Sequence, residues 1–356
     1  MQAKDPFNQT IRSLQRTLLI LAGLLVITVI ATAMLIAFQV GWIDASANRE
    51  EPVASSGSSS TTLPVKAEEP LWQAPSEAKI AALSNGDLIR YGKELIANTA
   101  LYLGPMGTVT HASNGMNCQN CHLDAGTKPW GNNYSAVAST YPKFRARSGR
   151  IETIVKRVND CFERSLNGKG LDSNSREMKA IVAYIQFLGD DVPKGKNPAR
   201  SGIWKVPYLD RAAIPEKGKL TYEQKCVSCH GTTGQGVAKP DGVGYTFPPL
   251  WGAHSYNQGA GLFRLSRLAG YIKANMPLGA SWDKPQLSDE EAWDLAAFIN
   301  SMPRSAKDLR NDWPNIASKP VDHPFGPYAD SFSEKQHKFG PFKPIEAYKK
   351  SHAESK

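Results

Sequence analysis

Four of the five cysteines fall into two C-x-x-C-H pentapeptides, Cys118-Gln119-Asn120-Cys121-His122 and Cys226-Val227-Ser228-Cys229-His230. Two thiols at this spacing can form thioethers with the vinyl groups of one haem, and the adjacent imidazole can reach the iron as proximal ligand. A four-cysteine zinc site would leave both histidines without a role. Two such motifs, 226 − 118 = 108 residues apart in a chain that reads as exported, predict two covalently bound haem c groups.

The pattern downstream of the first motif recurs downstream of the second. A Gly/Pro-rich stretch leads to a helical pattern and then to a closing amphipathic helix, Met178 to Leu188 in the first half and Glu290 to Asn300 in the second. Ala183-Tyr184-Ile185 matches Ala297-Phe298-Ile299, and apolar positions recur at three and four in both. Ser288, with Glu291 three residues later, reads as a capping-box start. The chain is therefore expected to be mainly α, with two tandem class I cytochrome c domains at 79–200 and 201–305. Each would be small and completed by the haem it wraps.

The distal ligands are expected to differ. Met276, in Asn275-Met276-Pro277-Leu278-Gly279, lies 297 − 276 = 21 residues before Ala297 and suits a second haem of His230/Met276 ligation. Met302, at the end of the closing helix, is the competing residue. The corresponding step back from Ala183 is 183 − 161 = 22 residues and lands on Cys161, the cysteine left over from the two motifs. Cys161 is read as a thiolate ligand of a His122/Cys161 haem, where it would lower the reduction potential relative to methionine. A ligand that is also a sulfur nucleophile suggests sulfur chemistry.

Residues 151–166 read as one helix, with Ile151, Ile154, Val155, Val158 and Phe162 along one side and Asn167-Gly168 as the stop. Arg157, Cys161 and Ser165 fall four apart on a slowly drifting stripe. Arg147 lies just upstream. Guanidinium forks suit multi-oxygen anions, although pairing with haem propionates explains the arginines equally well.

The other elements set the compartment. No charged residue occurs from Thr17 to Ile43, an apolar stretch longer than a secretion signal needs and long enough to span a bilayer. Lys4, Arg12 and Arg16 precede it, and Asp44, Glu50 and Glu51 come after it. Residues 1–16 are thus expected in the cytoplasm, 17–43 as a single-pass anchor in the inner membrane, and the haem domains in the periplasm. Cleavage after Ala45-Ser46-Ala47 is the alternative, and it exports the chain equally. Residues 44–78, Ser/Pro/Thr-rich over 48–70, read as a flexible linker, and 306–356 as an extended C-terminal tail. His323, His337 and His352 in that tail read as surface residues, and His111 and His254 have no assigned role. Charged residues at 21% and hydrophobic ones at 41% exclude a wholly disordered or wholly membrane-embedded chain. Net charge is 42 − 33 = +9, yet no nucleic-acid motif is present, so the basic surface would serve small anions or acidic proteins.

These residues resemble the dihaem thiosulfate dehydrogenases, which convert thiosulfate to tetrathionate and in some members run more readily in reverse. The matching features are Arg157-Val158-Asn159-Asp160-Cys161-Phe162-Glu163-Arg164-Ser165, the preceding Phe144-Arg145-Ala146-Arg147, both haem motifs, the Met276 loop, and the tail from His323 to His337. The resemblance covers roughly residues 79–345. It implies that Arg147, Arg157 and Ser165 bind thiosulfate beside Cys161. It further implies that electrons leave through the second haem to a small cytochrome c or a membrane electron-transfer complex. Some members carry a lysine before the distal methionine and exchange ligands with redox state; here that position is Asn275. Family members are commonly soluble, so the anchor is a departure. The rival readings are a tethered dihaem electron carrier and a peroxidase-type dihaem enzyme, the latter fitting Cys161 less well.

Overall fold

The computed structural model describes residues 17–30, 32 and 71–354. Residues 17–30 are helical, and every large apolar side chain from Leu18 to Ile30 is more than half exposed. Among the described residues no helix is long and apolar enough to cross a membrane. Most of the remaining expected anchor, 31 and 33–43, lies outside the described residues, as do 1–16 and the linker to residue 70. From 71 to 78 the linker expectation is corrected. Trp72 packs against the first core, and a helix begins at Glu77 with Ser76 as its cap.

In the first domain α1 (Gly86–Ala97) precedes the first haem motif. A hairpin of β1 (Lys143–Arg145) and β2 (Arg150–Glu152) comes next, then α2 (Ile154–Asp160), a π-helical turn over Cys161–Ser165, and α3 (Arg176–Leu188). The second domain runs from α4 (Pro215–Lys225) through the second motif. The hairpin of β3 (Val237–Ala238) and β4 (Tyr245–Phe247) leads to α5 (Leu265–Asn275) and α6 (Asp289–Ser301). Ser288 caps α6 as the Ser-x-x-Glu spacing predicts, its hydroxyl accepting from Glu291 N–H at 3.0 Å while Glu291 accepts from Ser288 N–H.

The repeat has one physical basis. First and last helices of each domain cross backbone against backbone, at a glycine. A Cβ on Gly92 would fall 2.0 Å from the Ala180 carbonyl oxygen, and one on Gly218 would fall 1.9 Å from that of Asp294. Any side chain at either position would prise the crossing apart. Each crossing nucleates its own core, with Leu95, Ile96, Met178 and Tyr184 in the first and Tyr222, Trp251, Trp293 and Leu295 in the second. Burial of such side chains contributes roughly 1.5–3 kcal/mol each.

The stretch 151–166 is not one helix. Ile151 pairs with Phe144 across the hairpin and is exposed, so it belongs to no helical stripe. Helix geometry begins only at the Thr153 cap and loosens to a π turn at Cys161, closed by Leu166 N–H to the Cys161 carbonyl at 2.9 Å.

The tail is also corrected. Segment 306–356 contains α7 (Glu334–Phe339) and α8 (Lys343–Glu354). These helices lack a long apolar stripe; Phe342 and Ile345 anchor them by entering the second core. The tail does run across both domains. Asp312 pairs with Arg164 of the first, and Asp322 with Arg264 of the second. His323 and His337 are buried, not surface residues. The His337 ring stacks on Tyr328 at 3.7 Å, and its nitrogens meet the Val321 carbonyl and the Asp330 carboxylate.

Side-chain bonds from the second domain reach the first. Tyr271 donates to the Asn120 carbonyl at 2.8 Å, inside the first haem motif. Asn275 donates to the Trp130 carbonyl at 3.1 Å, and Asn257 to the Glu163 carbonyl at 2.9 Å.

Candidate active site

The two motifs sit in separate cores, Cys118 packing on the first and Cys226 on the second, so the four cysteines cannot converge on one zinc ion. In both motifs the histidine is oriented in the same way. His122 Nδ1 lies 2.6 Å from the Asn132 carbonyl, and His230 Nδ1 lies 2.9 Å from that of Pro248. A carbonyl only accepts, so each Nδ1 carries the proton and each Nε2 keeps its lone pair, as a metal-ligating imidazole requires. Tyr134 stacks on the His122 ring at 4.4 Å. Burial pushes His122 down to about 4, which keeps it neutral, and pushes the Cys118 and Cys121 thiols up to about 12. Burial likewise lowers His230 and pushes Cys226 up to about 11.

Above the first motif opens a cavity of about 400 Å³, within the size range of cofactor pockets. Cys118, Cys121, His122, Cys161, Arg157, Ser165 and Arg147 all line it. The structure thus brings together, on one cavity, all seven residues that sequence assigns to the first site, and a Cys-Cys-His set lining that space fits a covalent haem. Cys226, Cys229, His230 and Met276 lie in the second domain. Met276 comes directly after the last residue of α5 and packs against the same core as Cys226, and Met302 packs there as well.

The elements that aim these groups come from three parts of the chain. Arg157 ends a turn of α2, and Cys161 opens the π turn that Ser165 closes. Such single-turn insertions recur at functional sites because they redirect a side chain without ending the helix. The turn is pinned by Asn167, which donates to the Ala253 carbonyl at 3.2 Å and to Ser305 Oγ at 2.9 Å. Cys161 is the strongest influence on Arg157, raising the affinity of that guanidinium for its proton. Arg147 donates to the Gly259 carbonyl at 3.1 Å, and its own carbonyl accepts from Trp313 N–H at 2.6 Å. Burial, then Arg164 and Arg157, push Arg147 down to about 10, so it remains charged at neutral pH.

Sequence reasoning missed four participants. Arg145, Arg264 and Arg267 also line the cavity, the last two from the second domain. Asp312 of the tail holds Arg164 through two bonds of 2.8 Å and lies 4.0 Å from Arg147. Only Arg145 carried a local signal, as the inward-facing neighbour of exposed Phe144 in the hairpin.

A sequence model described as SoxA/TsdA, cytochrome c domain, matches residues 108–193, and one described as Cytochrome c matches 215–303. The chain is 38% identical over 250 residues to a thiosulfate dehydrogenase of Psychrobacter arcticus, covering 69% of this chain and 73% of that one. It is 36% identical over 268 residues to a thiosulfate dehydrogenase of Allochromatium vinosum, covering 73% of this chain and 96% of that one. Among solved structures, thiosulfate dehydrogenase (TsdBA) from Marichromatium purpuratum in its as-isolated form superposes with a TM-score of 0.62 at 29% identity. The match takes in 73% of this chain and 54% of that one, so this chain spans about half the length of that protein.

Proposed function

The chain belongs to the dihaem thiosulfate dehydrogenase family, and we propose that its first haem site joins two thiosulfate ions into tetrathionate, or runs that reaction in reverse, while its second haem passes the electrons on. It is an oxidoreductase acting on thiosulfate and carries two covalently bound haem c groups. Cys118 and Cys121 would hold the first haem, with His122 and Cys161 as its ligands; Cys226 and Cys229 would hold the second, with His230 and Met276. Bound there, the haems supply one-electron acceptance at each iron.

The rest of the chemistry belongs to the side chains. Joining two thiosulfates forms one sulfur–sulfur bond and releases two electrons. It also brings two dianions together. At about 5 Å and an effective dielectric of ~20 they repel by roughly 13 kcal/mol, so the cleft must hold compensating charge before the sulfurs can meet. Arg147 and Arg157 supply it, and the Ser165 hydroxyl can donate to a sulfonate oxygen. Cys161 lines the same cavity as Arg157 and is the largest charge influence on its guanidinium, which places the sulfur beside the anion-binding cations.

The observation that carries this reading is the convergence of Cys161, Arg147, Arg157 and Ser165 on the cavity of the first haem motif. In an electron carrier the arginines would serve the haem propionates, and the added cysteine sulfur and serine hydroxyl are what favour substrate chemistry. The test is one haem-loaded preparation assayed with thiosulfate plus an artificial acceptor, and with tetrathionate plus a reductant. Turnover in at least one direction is expected; none in either would leave the carrier.

An anchor at 17–43 would keep the haem domains on the periplasmic face of the inner membrane, near a small cytochrome c or a membrane electron-transfer complex. Its support is the run of exposed apolar side chains on the helical residues 17–30. In addition, Thr28 and Thr32 bond back to helix carbonyls at 2.7 to 3.0 Å, which satisfies their hydroxyls in an apolar medium.

A further inference from the structure

The five arginines lining the cavity are distinguished by their counter-ions. Arg145 lies 4.0 Å from buried Glu152, and Arg147 lies 4.0 Å from Asp312. Arg264 donates through Nε to buried Asp322 at 2.9 Å. Arg157 has Cys161 as its dominant neighbour. Arg157 and Arg267 share the lack of a carboxylate partner among the described residues, and Arg267 has no neighbouring sulfur there either. Among the described residues its guanidinium has no carboxylate partner within 4 Å and makes no side-chain hydrogen bond. Asp322 acts on it only from a distance, because its oxygens are engaged by Arg264 and by the Ser266 N–H and hydroxyl.

The direction of Arg267 is set by its helix. Leu265, Leu268 and Ala269 of α5 are buried in the second core, which turns Arg267 to the opposite side, where it lines the first domain's cavity. Arg267 stays open to solvent there, and three like charges, Arg264, Arg145 and Arg157, act on it. Two of those arginines belong to the first domain, so Arg267 faces them across the domain boundary. An exposed guanidinium with no carboxylate of its own, lining a cavity with four other arginines, is free to receive an anion there.

We propose that Arg267 is the second domain's contribution to the first site, where its planar fork holds an oxyanion opposite Arg157. The shared chemistry is a multi-oxygen anion, from one of two sources: the sulfonate end of a thiosulfate, or the carboxylate of a propionate on the first haem. Guanidinium is suited to both because it offers two parallel donors. The first source rests on the thiosulfate reading above; the second needs only the haem. Either makes the first site a two-domain site, incomplete in an isolated first domain.

The experiment uses the full haem-loaded protein with Arg267→Gln, which removes charge and fork, and Arg267→Lys, which keeps the charge and loses the fork. Arg150→Gln, an exposed position on β2 outside the cavity lining, controls for bulk charge. Covalent haem content establishes that each variant is assembled. Two quantities are then read without turnover: the potential of the first haem with no anion added, and the thiosulfate concentration that half-saturates its absorbance change with no electron acceptor present. If thiosulfate is the anion, Arg267→Gln weakens binding about tenfold and Arg267→Lys recovers only part of it. If the propionate is the anion, binding stays within about twofold, but the anion-free potential falls in Arg267→Gln and is largely restored in Arg267→Lys. The proposal is overturned if Arg267→Gln moves neither quantity beyond what Arg150→Gln does. A wild type whose first haem does not respond to thiosulfate would refute the thiosulfate reading, and Arg267 would then stand or fall on the anion-free potential.

Discussion

Asp312 offers a direct check on whether the tail is part of the first site. Its carboxylate forms two 2.8 Å bonds with Arg164, and both side chains are only 11% exposed. Breaking a buried, hydrogen-bonded ion pair by removing one partner costs about 3–5 kcal/mol, because the other charge is stranded. Here Arg164 keeps Asp160 at 4.0 Å and the Gly259 carbonyl at 3.4 Å, so Asp312→Asn should fall at the lower end, about 3 kcal/mol. At roughly 2–4 °C per kcal/mol for a domain of 150–250 residues, the unfolding midpoint should drop by about 6–12 °C. The double variant Asp312→Asn with Arg164→Gln strands no charge and should lose less than the single one. Thermal unfolding of the haem-loaded proteins by far-ultraviolet circular dichroism reads both. Protease nicking within 306–333 should appear first in the single variant. A single variant within about 1 °C of wild type, with the double no milder, would refute the idea that this pair fastens the tail over the site.

Two further outcomes are expected. Burial pushes His323 from 6.5 down to about 4, so the folded state takes up its proton later than the unfolded chain does. The sign is therefore a loss of stability as pH falls from about 6.5 to 4, at most about 3 kcal/mol from this group, levelling below that window. Urea midpoints should fall less steeply over that range in His323→Gln than in wild type, and parallel curves would contradict it. For the anchor, haem-stained gels should place the protein in the membrane fraction and a chain lacking residues 1–43 in the soluble one. Full-length protein free of the membrane would remove the anchor and leave the haem sites untouched.

What the sequence reveals depends on how local the physics is. The haem motifs are legible because thioether spacing is fixed by covalent chemistry. Cys161 is legible because the two domains repeat one helix crossing, at Gly92 and Gly218, which makes the distance to the closing helix a usable ruler. The π turn is not legible. Its extra residue disturbs the stripe by less than pattern reading can resolve, although Arg157, Cys161 and Ser165 still reach the same cavity. Ile151 misleads because an apolar residue on an exposed hairpin face looks like the first turn of a helix. The tail helices stay hidden since α8 rests on Phe342 and Ile345 entering a core assembled from residues between Val206 and Ile299. Asp312 and Arg264 are concealed in the same way, because no spacing connects them with Arg164 and Asp322.

Cys161 carries the central claim, as both distal ligand and sulfur nucleophile, and the most direct measurement is thiosulfate oxidation by Cys161→Met. Methionine should keep a sulfur on the iron and raise the potential of the first haem, since the charge donated by thiolate is gone. Electron acceptance from artificial donors should persist, while tetrathionate formation falls to near background. A variant that binds both haems and retains most of its thiosulfate oxidation would contradict that dual role.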